Sequence, residues 1–317
     1  MTTLTSAIPT STPPTTAWQH SAFYRFAALP DPAATAAALR ALGARLGAPG
    51  CLGGSLIVAA EGLNGAVAGE QAAVAAFEAA LRQEAAFAPL QGTVFKHSGC
   101  SGPAYGRFSV SLKPALVAIG LDENAPPGDD LDALGAADWN ALITRPDVLL
   151  LDNRNHWEFR LGRFRGAADP GVDHFHAFAD LVRAQAPAWR AAGTTVAMYC
   201  TGGIRCDRTA PWMREVLGLQ VHTLRGGILG YLAEQSARGA PGGLWDGECY
   251  VFDRRVALDA TLQPAGRAPE SVYDARRPDE AWRLERARRL GDAVHAVDTR
   301  DAEEAGDAGH GGEPAAT

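Results

Sequence analysis

Tyr199-Cys200-Thr201-Gly202-Gly203-Ile204-Arg205 follows directly on the apolar run Thr195-Val196-Ala197-Met198. An uninterrupted apolar run of this length predicts a strand covered on both faces. The strand ends at Cys200, a Gly-Gly loop follows, and a helix is expected soon after Arg205, over Thr209 to Leu217. Gly202 and Gly203 let the backbone curl so that successive N–H groups turn inward. Those donors, the helix N-terminus and the Arg205 guanidinium all favour negative charge at the loop centre. The same field predicts a thiolate at Cys200 at neutral pH. Thr201, Gly202, Gly203 and Ile204 then form an anion loop around a nucleophile that can carry sulfur as a persulfide. A lone cysteine before a glycine turn is usually structural. Strand, cysteine, glycines, arginine and helix in this order favour a functional one.

Working outward, Val148-Leu149-Leu150-Leu151 reads as a second buried strand and Val221 to Leu224 as a third. Phe175 to Ala191 reads as a helix with a break near Pro187. Strands alternating with helices predict a parallel α/β domain over residues 130–236. Asp152 and Arg154, at the end of the first of these strands, are candidates to support the loop through charge-assisted hydrogen bonds, with a purely structural pair the favoured reading.

The upstream pattern differs. Ser21 to Phe26 is strand-like, and Pro30-Asp31-Pro32 opens an Ala/Leu-rich helix with Asp31 as N-cap. Leu52 to Ala60 is a strand, Asn64-Gly65 supplies a hairpin signal, and Ala66 begins the partner strand. Glu70 to Arg82 is a helix, with strands at Phe95-Lys96 and Phe108 to Leu112. The order β-α-β-β-α-β predicts a ferredoxin-like sandwich over residues 21–119. Gly120 to Asp130 reads as a linker. A C-terminal extension over 237–296 carries a strand at Glu248 to Phe252 and a helix at Trp282 to Leu290. Residues 1–20 and 297–317 are expected to be disordered.

The 317 residues are 47% hydrophobic with a net charge of -7. That fraction is too high for a disordered protein, and no apolar run approaches the roughly 18 residues of a membrane helix. The negative balance argues against a whole-surface nucleic-acid binder. From Asp298 onward, however, six acids and one arginine place most of that charge in the expected tail. Only Lys96 and Lys113 are lysines among 29 basic residues. Five scattered cysteines do not form a disulfide framework, and the uncharged Thr/Ser/Pro-rich start lacks signal-peptide features. A reducing cytoplasm is the expected compartment.

Secondary candidates follow. Cys206 can resolve a persulfide or disulfide at Cys200, or serve as a structural thiol. Cys51, Cys100 and Cys249 lack metal-ligand spacing, and His174 and His176 lack a third ligand, so no metal is expected. Arginines concentrate near the thiol loop (Arg205, Arg208, Arg214, Arg225) and in the extension (Arg276, Arg277, Arg283, Arg286, Arg288, Arg289). Arg208, Arg225, Arg276 and Arg277 are candidate anion contacts and Tyr105, Trp212 and Tyr273 candidate aromatic platforms, while the C-terminal cluster reads equally as a solvated helix interleaved with acids.

Cys200 to Arg205, Leu151-Asp152-Asn153-Arg154 with Glu158, Gly166-Ala167, and Arg225-Gly226-Gly227-Ile228 resemble the motifs of rhodaneses, from about Asp130 to Glu234. With Glu61-Gly62-Leu63-Asn64-Gly65 and Trp245 to Asp253, the chain resembles the bacterial tRNA uridine-34 hydroxylase family. That resemblance implies an N-terminal acylphosphatase-like domain joined to a rhodanese domain. It implies Cys200 as the catalytic cysteine and tRNA as the partner. The implied reaction is oxygen-dependent formation of 5-hydroxyuridine at the wobble position, drawing on molecular oxygen and an electron donor. The residues name no cofactor and fix no oligomeric state. Family members often carry Cys-x-x-Cys-Arg-Arg-Pro, where this chain has Val272-Tyr273-Asp274-Ala275-Arg276-Arg277-Pro278, without either cysteine. A plain sulfurtransferase is the alternative activity. The short Cys200–Arg205 spacing disfavours a phosphatase, and an intact loop disfavours a non-catalytic RNA-binding module.

Overall fold

Apolar alternation builds the first layer. The computed structural model describes residues 18–47, 51–121 and 133–288. Its first unit runs β1 (Trp18–Phe26), α1 (Pro32–Leu46), β2 (Leu52–Ala59), β3 (Gly62–Glu70), α2 (Gln71–Gln83), β4 (Val94–Gly99) and β5 (Phe108–Leu112). The strands lie in the order β4-β1-β3-β2-β5, antiparallel except for the parallel β2–β5 pair. This is the ferredoxin-like arrangement with one added edge strand. Asp31 caps α1, its Oδ1 accepting from the Ala34 N–H at 2.8 Å, with Pro32 in the first turn. Phe23, Leu56 and Val67 from the sheet and Leu39 and Phe77 from the helices share one core.

Two sequence expectations change here. β1 begins at Trp18, so residues 18–20 belong to the ladder, with Gln19 opposite both Gly69 and Gly99. Asn64-Gly65 lies inside β3, and the hairpin closes at Ala60-Glu61 instead. Closing there lets all of Leu52–Ala59 pair with Gly62–Gly69, and the longer ladder outweighs the local turn preference.

The second unit runs α3 (Ala136–Ile143), β6 (Val148–Asp152), α4 (His156–Leu161), β7 (Gly162–Phe164), α5 (His176–Ala191), β8 (Thr195–Tyr199), α6 (Ile204–Glu215), β9 (Gln220–Thr223) and α7 (Gly227–Ala237). β6, β8 and β9 form a parallel sheet with β8 in the middle. Ala197 and Tyr199 of β8 face Trp139 and Ile228, while Val196 and Met198 face Phe178 and Trp212. Covering both faces is what a continuous apolar strand requires. α5 runs unbroken through Pro187, close enough to its C-terminus that little of the helix ladder is lost. α6 starts five residues earlier than expected and takes Pro211 into its interior. The expected linker and acidic tail lie largely or wholly outside the described residues, as does the end of the helix predicted to Leu290.

The extension folds back on this unit. β10 (Trp245–Gly247) pairs with β7, and β11 (Cys249–Tyr250) pairs with β12 (Ala257–Leu258). A helix, α8, covers residues 278–288. The strand expected over Glu248 to Phe252 shrinks to two residues: the Val251 N–H still meets Val256 O in register at 3.0 Å, but Val256 takes φ +62° and the chain turns back at Phe252. Among the described residues no helix is long and apolar enough to cross a membrane.

Asp152 and Arg154 brace the end of β6. Both are fully buried, and Arg154 Nε and Nη2 donate to the Asp152 carboxylate at 2.9 and 2.6 Å. Arg154 Nη2 also donates to Gly162 O at 2.7 Å, tying β6 to β7. Removing one member of such a pair leaves an unanswered charge in the interior. Arg154→Met should therefore lower the unfolding free energy by about 3–5 kcal/mol, measured by urea denaturation against the unaltered chain.

Candidate active site

β8 delivers Cys200 into the interior, where the residue is only 1% exposed. Gly203 then takes φ +103°, a region that favours glycine, and its N–H turns back to Cys200 Sγ at 3.2 Å. The Asp207 N–H bonds Gly203 O at 2.9 Å, so α6 starts directly from the loop and aims its N-terminus at the thiol. Gly226-Gly227 closes the loop from behind. Ile228 and Leu229 donate their N–H groups to Cys200 O and Thr201 O, each at 3.0 Å. A Cβ on Gly227 would stand 2.4 Å from Cys200 O, so only glycine admits this clamp.

Arg205 does not point freely at the thiol. Its Nη1 and Nη2 donate to the buried Glu158 carboxylate at 3.0 and 3.3 Å, and Nη1 also reaches Asn153 O at 3.4 Å. Glu158 further accepts from the Asn155 N–H at 3.1 Å and from Thr201 Oγ1 at 3.4 Å. This carboxylate therefore ties α4, the thiol loop and α6 together. The Arg205 guanidinium lies between two rings, 5.3 Å from the centre of Phe175 and 5.6 Å from that of Phe252.

Electrostatics follow from this geometry. Burial pushes the Cys200 thiol up. A hydrogen bond from Cys206, the Arg205 charge and the N–H groups of Cys206 and Gly203 outweigh it and bring the thiol down to about 6. Burial and the neighbouring Cys200 push Cys206 well above the usual thiol range. Cys206 thus stays protonated and acts as a donor to the Cys200 thiolate. Both cysteines are free thiols.

The N-terminal sheet covers this loop. Its helix-free face presents Tyr24 of β1 and Lys96 of β4. Tyr24 donates to Asp207 Oδ2 of α6 at 2.7 Å, and Lys96 Nζ lies 4.5 Å from the centre of the Tyr24 ring. The Tyr24 hydroxyl stands 2.6 Å from where a Cβ on Gly203 would be. Lys96 is half-buried, and desolvation pushes its amine below the usual range against the pull of Asp207 and Cys200. Lysine can give up its proton under such pressure where arginine cannot.

The remaining candidates are dispersed. Arg208 approaches Glu61 Oε2 at 3.6 Å, linking α6 to the N-terminal hairpin. Arg225 is exposed and donates to Ala133 O at 2.7 Å. Arg276 pairs with Asp274, and Arg277 with Asp173 and Glu280. Trp212 and Tyr273 are buried and Tyr105 is half-buried against His20, so none of the three offers an open ring. Residue reading did not single out Tyr24, Lys96 or Phe252. The one signal was compositional: Lys96 is a lysine in a chain that otherwise uses arginine.

A family model described as the UPF0176 acylphosphatase like domain matches residues 18–116, and the rhodanese-like domain matches residues 136–234. A protein of Deinococcus radiodurans named tRNA uridine(34) hydroxylase is 41% identical over 77% of this chain and 76% of its own length. One of the same name from Bradyrhizobium diazoefficiens is 40% identical, over 77% of this chain and 92% of its own. A third, from Caulobacter vibrioides, is 39% identical over 81% and 82%. With both domains matched in order and relatives aligned over most of their length, this chain belongs to the tRNA uridine(34) hydroxylase family.

Proposed function

We propose that this chain is an oxidoreductase that hydroxylates uridine 34 of tRNA to 5-hydroxyuridine, with Cys200 as its catalytic group. The observation that carries the reading is a buried Cys200 thiol facing the Gly203 N–H, Cys206 and Arg205, which together favour the thiolate, in a chain closely related to proteins named for that reaction. Placing one atom of molecular oxygen on the base leaves the other to be reduced to water. Two electrons and two protons are consumed, so an electron donor is required. The chain's own residues hold the sulfur anion (Gly203, Cys206, Arg205), fix the loop (Glu158, Thr201, Ile204, with Gly202 in the turn) and cover it (Tyr24, Lys96). Asp152 and Arg154 stiffen the strand end beside it. Arg208, Arg225, Arg276 and Arg277 remain candidates for tRNA contacts. The N-terminal unit that begins at Trp18, the rhodanese-like unit and the C-terminal extension act as covering domain, thiol domain and third wall, in a cytoplasmic enzyme. The rhodanese-like match over residues 136–234 favours one second reading, a sulfurtransferase passing persulfide sulfur from Cys200 to a thiol or cyanide.

Expression in a strain lacking tRNA 5-hydroxyuridine, with nucleoside mass spectrometry, tests both readings. The unaltered chain should restore the nucleoside and Cys200→Ala should not. No restoration by the unaltered chain overturns the hydroxylase. Thiosulfate:cyanide turnover without any change in tRNA promotes the sulfurtransferase.

The thiolate has a pH signature. The reactive form is present above the Cys200 midpoint and is lost as pH falls through about 6. Peptide-resolved alkylation by iodoacetamide should trace that midpoint. In Cys206→Ala the thiolate loses its S–H donor, and the midpoint should move up by about one pH unit. An unmoved midpoint would remove Cys206 from the stabilisation.

A further inference from the structure

Phe252 is 60% exposed although it sits beside the thiol loop. Exposed apolar side chains are ordinary when scattered, but this ring belongs to a continuous series of contacts. It lies under the Arg205 guanidinium and meets the Trp157 ring edge-on at 6.1 Å and the Tyr250 ring edge-on at 5.0 Å. The far side of the series continues from Trp157 to Arg283, whose guanidinium is 5.3 Å from the indole centre. Arg283 in turn lies 4.6 Å from the centre of the Trp282 ring on α8, which is 43% exposed. The other large exposed hydrophobics among the described residues (Val94, Leu112 and Val216) are aliphatic.

The series starts at an arginine of the thiol loop and ends on an exposed indole of the extension. Its exposed members are flat rings, and the cations between them are guanidiniums. Arg283 has no carboxylate within ion-pairing distance among the described residues. Its Nη2 reaches only Asp173 O at 3.4 Å and His174 Nδ1 at 3.3 Å, and its buried Nε has no partner. The neighbouring Arg276, Arg277 and Arg288 are each answered by an acid. An unneutralised guanidinium between two aromatic surfaces suits a polyanion that carries bases. Phe252, held by edge contacts to Trp157 and Tyr250, loses little freedom when a base stacks on it.

We propose that Phe252 and Trp282 are stacking surfaces for unpaired RNA nucleotides flanking the reacting uridine, with Arg283 between them meeting the phosphate backbone. The proposal rests on the reading of the chain as a tRNA-modifying enzyme and names the surface that would hold the anticodon-loop strand. Every base offers a face to stack on, so this track would read single-strandedness rather than sequence.

The test uses the full chain and an anticodon stem-loop RNA with uridine at position 34 and fluorescent 2-aminopurine at a neighbouring position. The unaltered chain should bind it and quench the fluorophore by stacking. Phe252→Leu and Trp282→Leu keep apolar bulk and lose the π face. Each should weaken binding by about 5- to 150-fold and relieve quenching. Phe252→Tyr should bind and quench like the unaltered chain. Urea denaturation of each variant reports its fold, and Trp282→Leu on the exposed helix carries the test if Phe252→Leu unfolds. Leucine variants that bind and quench normally, in a preparation that modifies tRNA, overturn the stacking track and leave the hydroxylase intact. Equal loss in Phe252→Tyr and Phe252→Leu also overturns it. Failure of the unaltered chain to bind or modify RNA overturns both.

Discussion

A sulfur anion in an apolar interior must be answered at short range, and this demand organises the molecule around Cys200. Burial alone would keep the thiol protonated. The answer comes from groups that cannot drift away: the Gly203 N–H, the Cys206 S–H, and an arginine held by a carboxylate with no exposure to water. Glu158 looks at first like a competitor, because it draws on the positive charge that the thiolate needs. Its effect is positional. It fixes Arg205 at a set place beside the loop, at the cost of part of that cation's strength, and joins three segments at one buried point.

The covering sheet meets the same demand from the other side. A two-layer ferredoxin-like unit has one face bare of helices, and here that face lies on the thiol loop. Tyr24 bonds the first turn of α6, and Lys96 brings an amine that desolvation biases toward its neutral form. The extension supplies the third wall through Phe252. The site is therefore shared among three stretches of chain: the rhodanese-like part contributes the sulfur, its donors and the groups that fix them, and the sheet and the extension supply the cover.

This division explains what was legible in the sequence. The parallel sheet was, because Val148-Leu149-Leu150-Leu151 and Thr195 to Tyr199 are runs that only a doubly covered strand tolerates. The loop was too, because cysteine, glycines and arginine act within a few residues of one another. Tyr24, Lys96 and Phe252 were not, because their roles arise from contacts between segments far apart in the chain, about fifty residues for Phe252 with Arg205 and more than a hundred for Tyr24 and Lys96 with Asp207, and their local sequences look like ordinary strand and turn. Local signals also misled where a longer ladder overrode them, as at Asn64-Gly65. At α6 the expected start at Thr209 fell late, because Gly203 launches the helix directly from the loop.

Gly203 is constrained twice, by its own left-handed backbone and by the Tyr24 hydroxyl standing where a side chain would begin. The two constraints are unequal. Removing the Tyr24 ring would open the space, yet the backbone would still refuse a larger residue. Tyr24, for its part, is restricted only by what it touches. Substitution can thus travel in one direction across this contact: the sheet can be recut to suit the loop, whereas the loop has no freedom to follow the sheet. In evolutionary terms the thiol loop is the mould, and the domain laid over it is the casting.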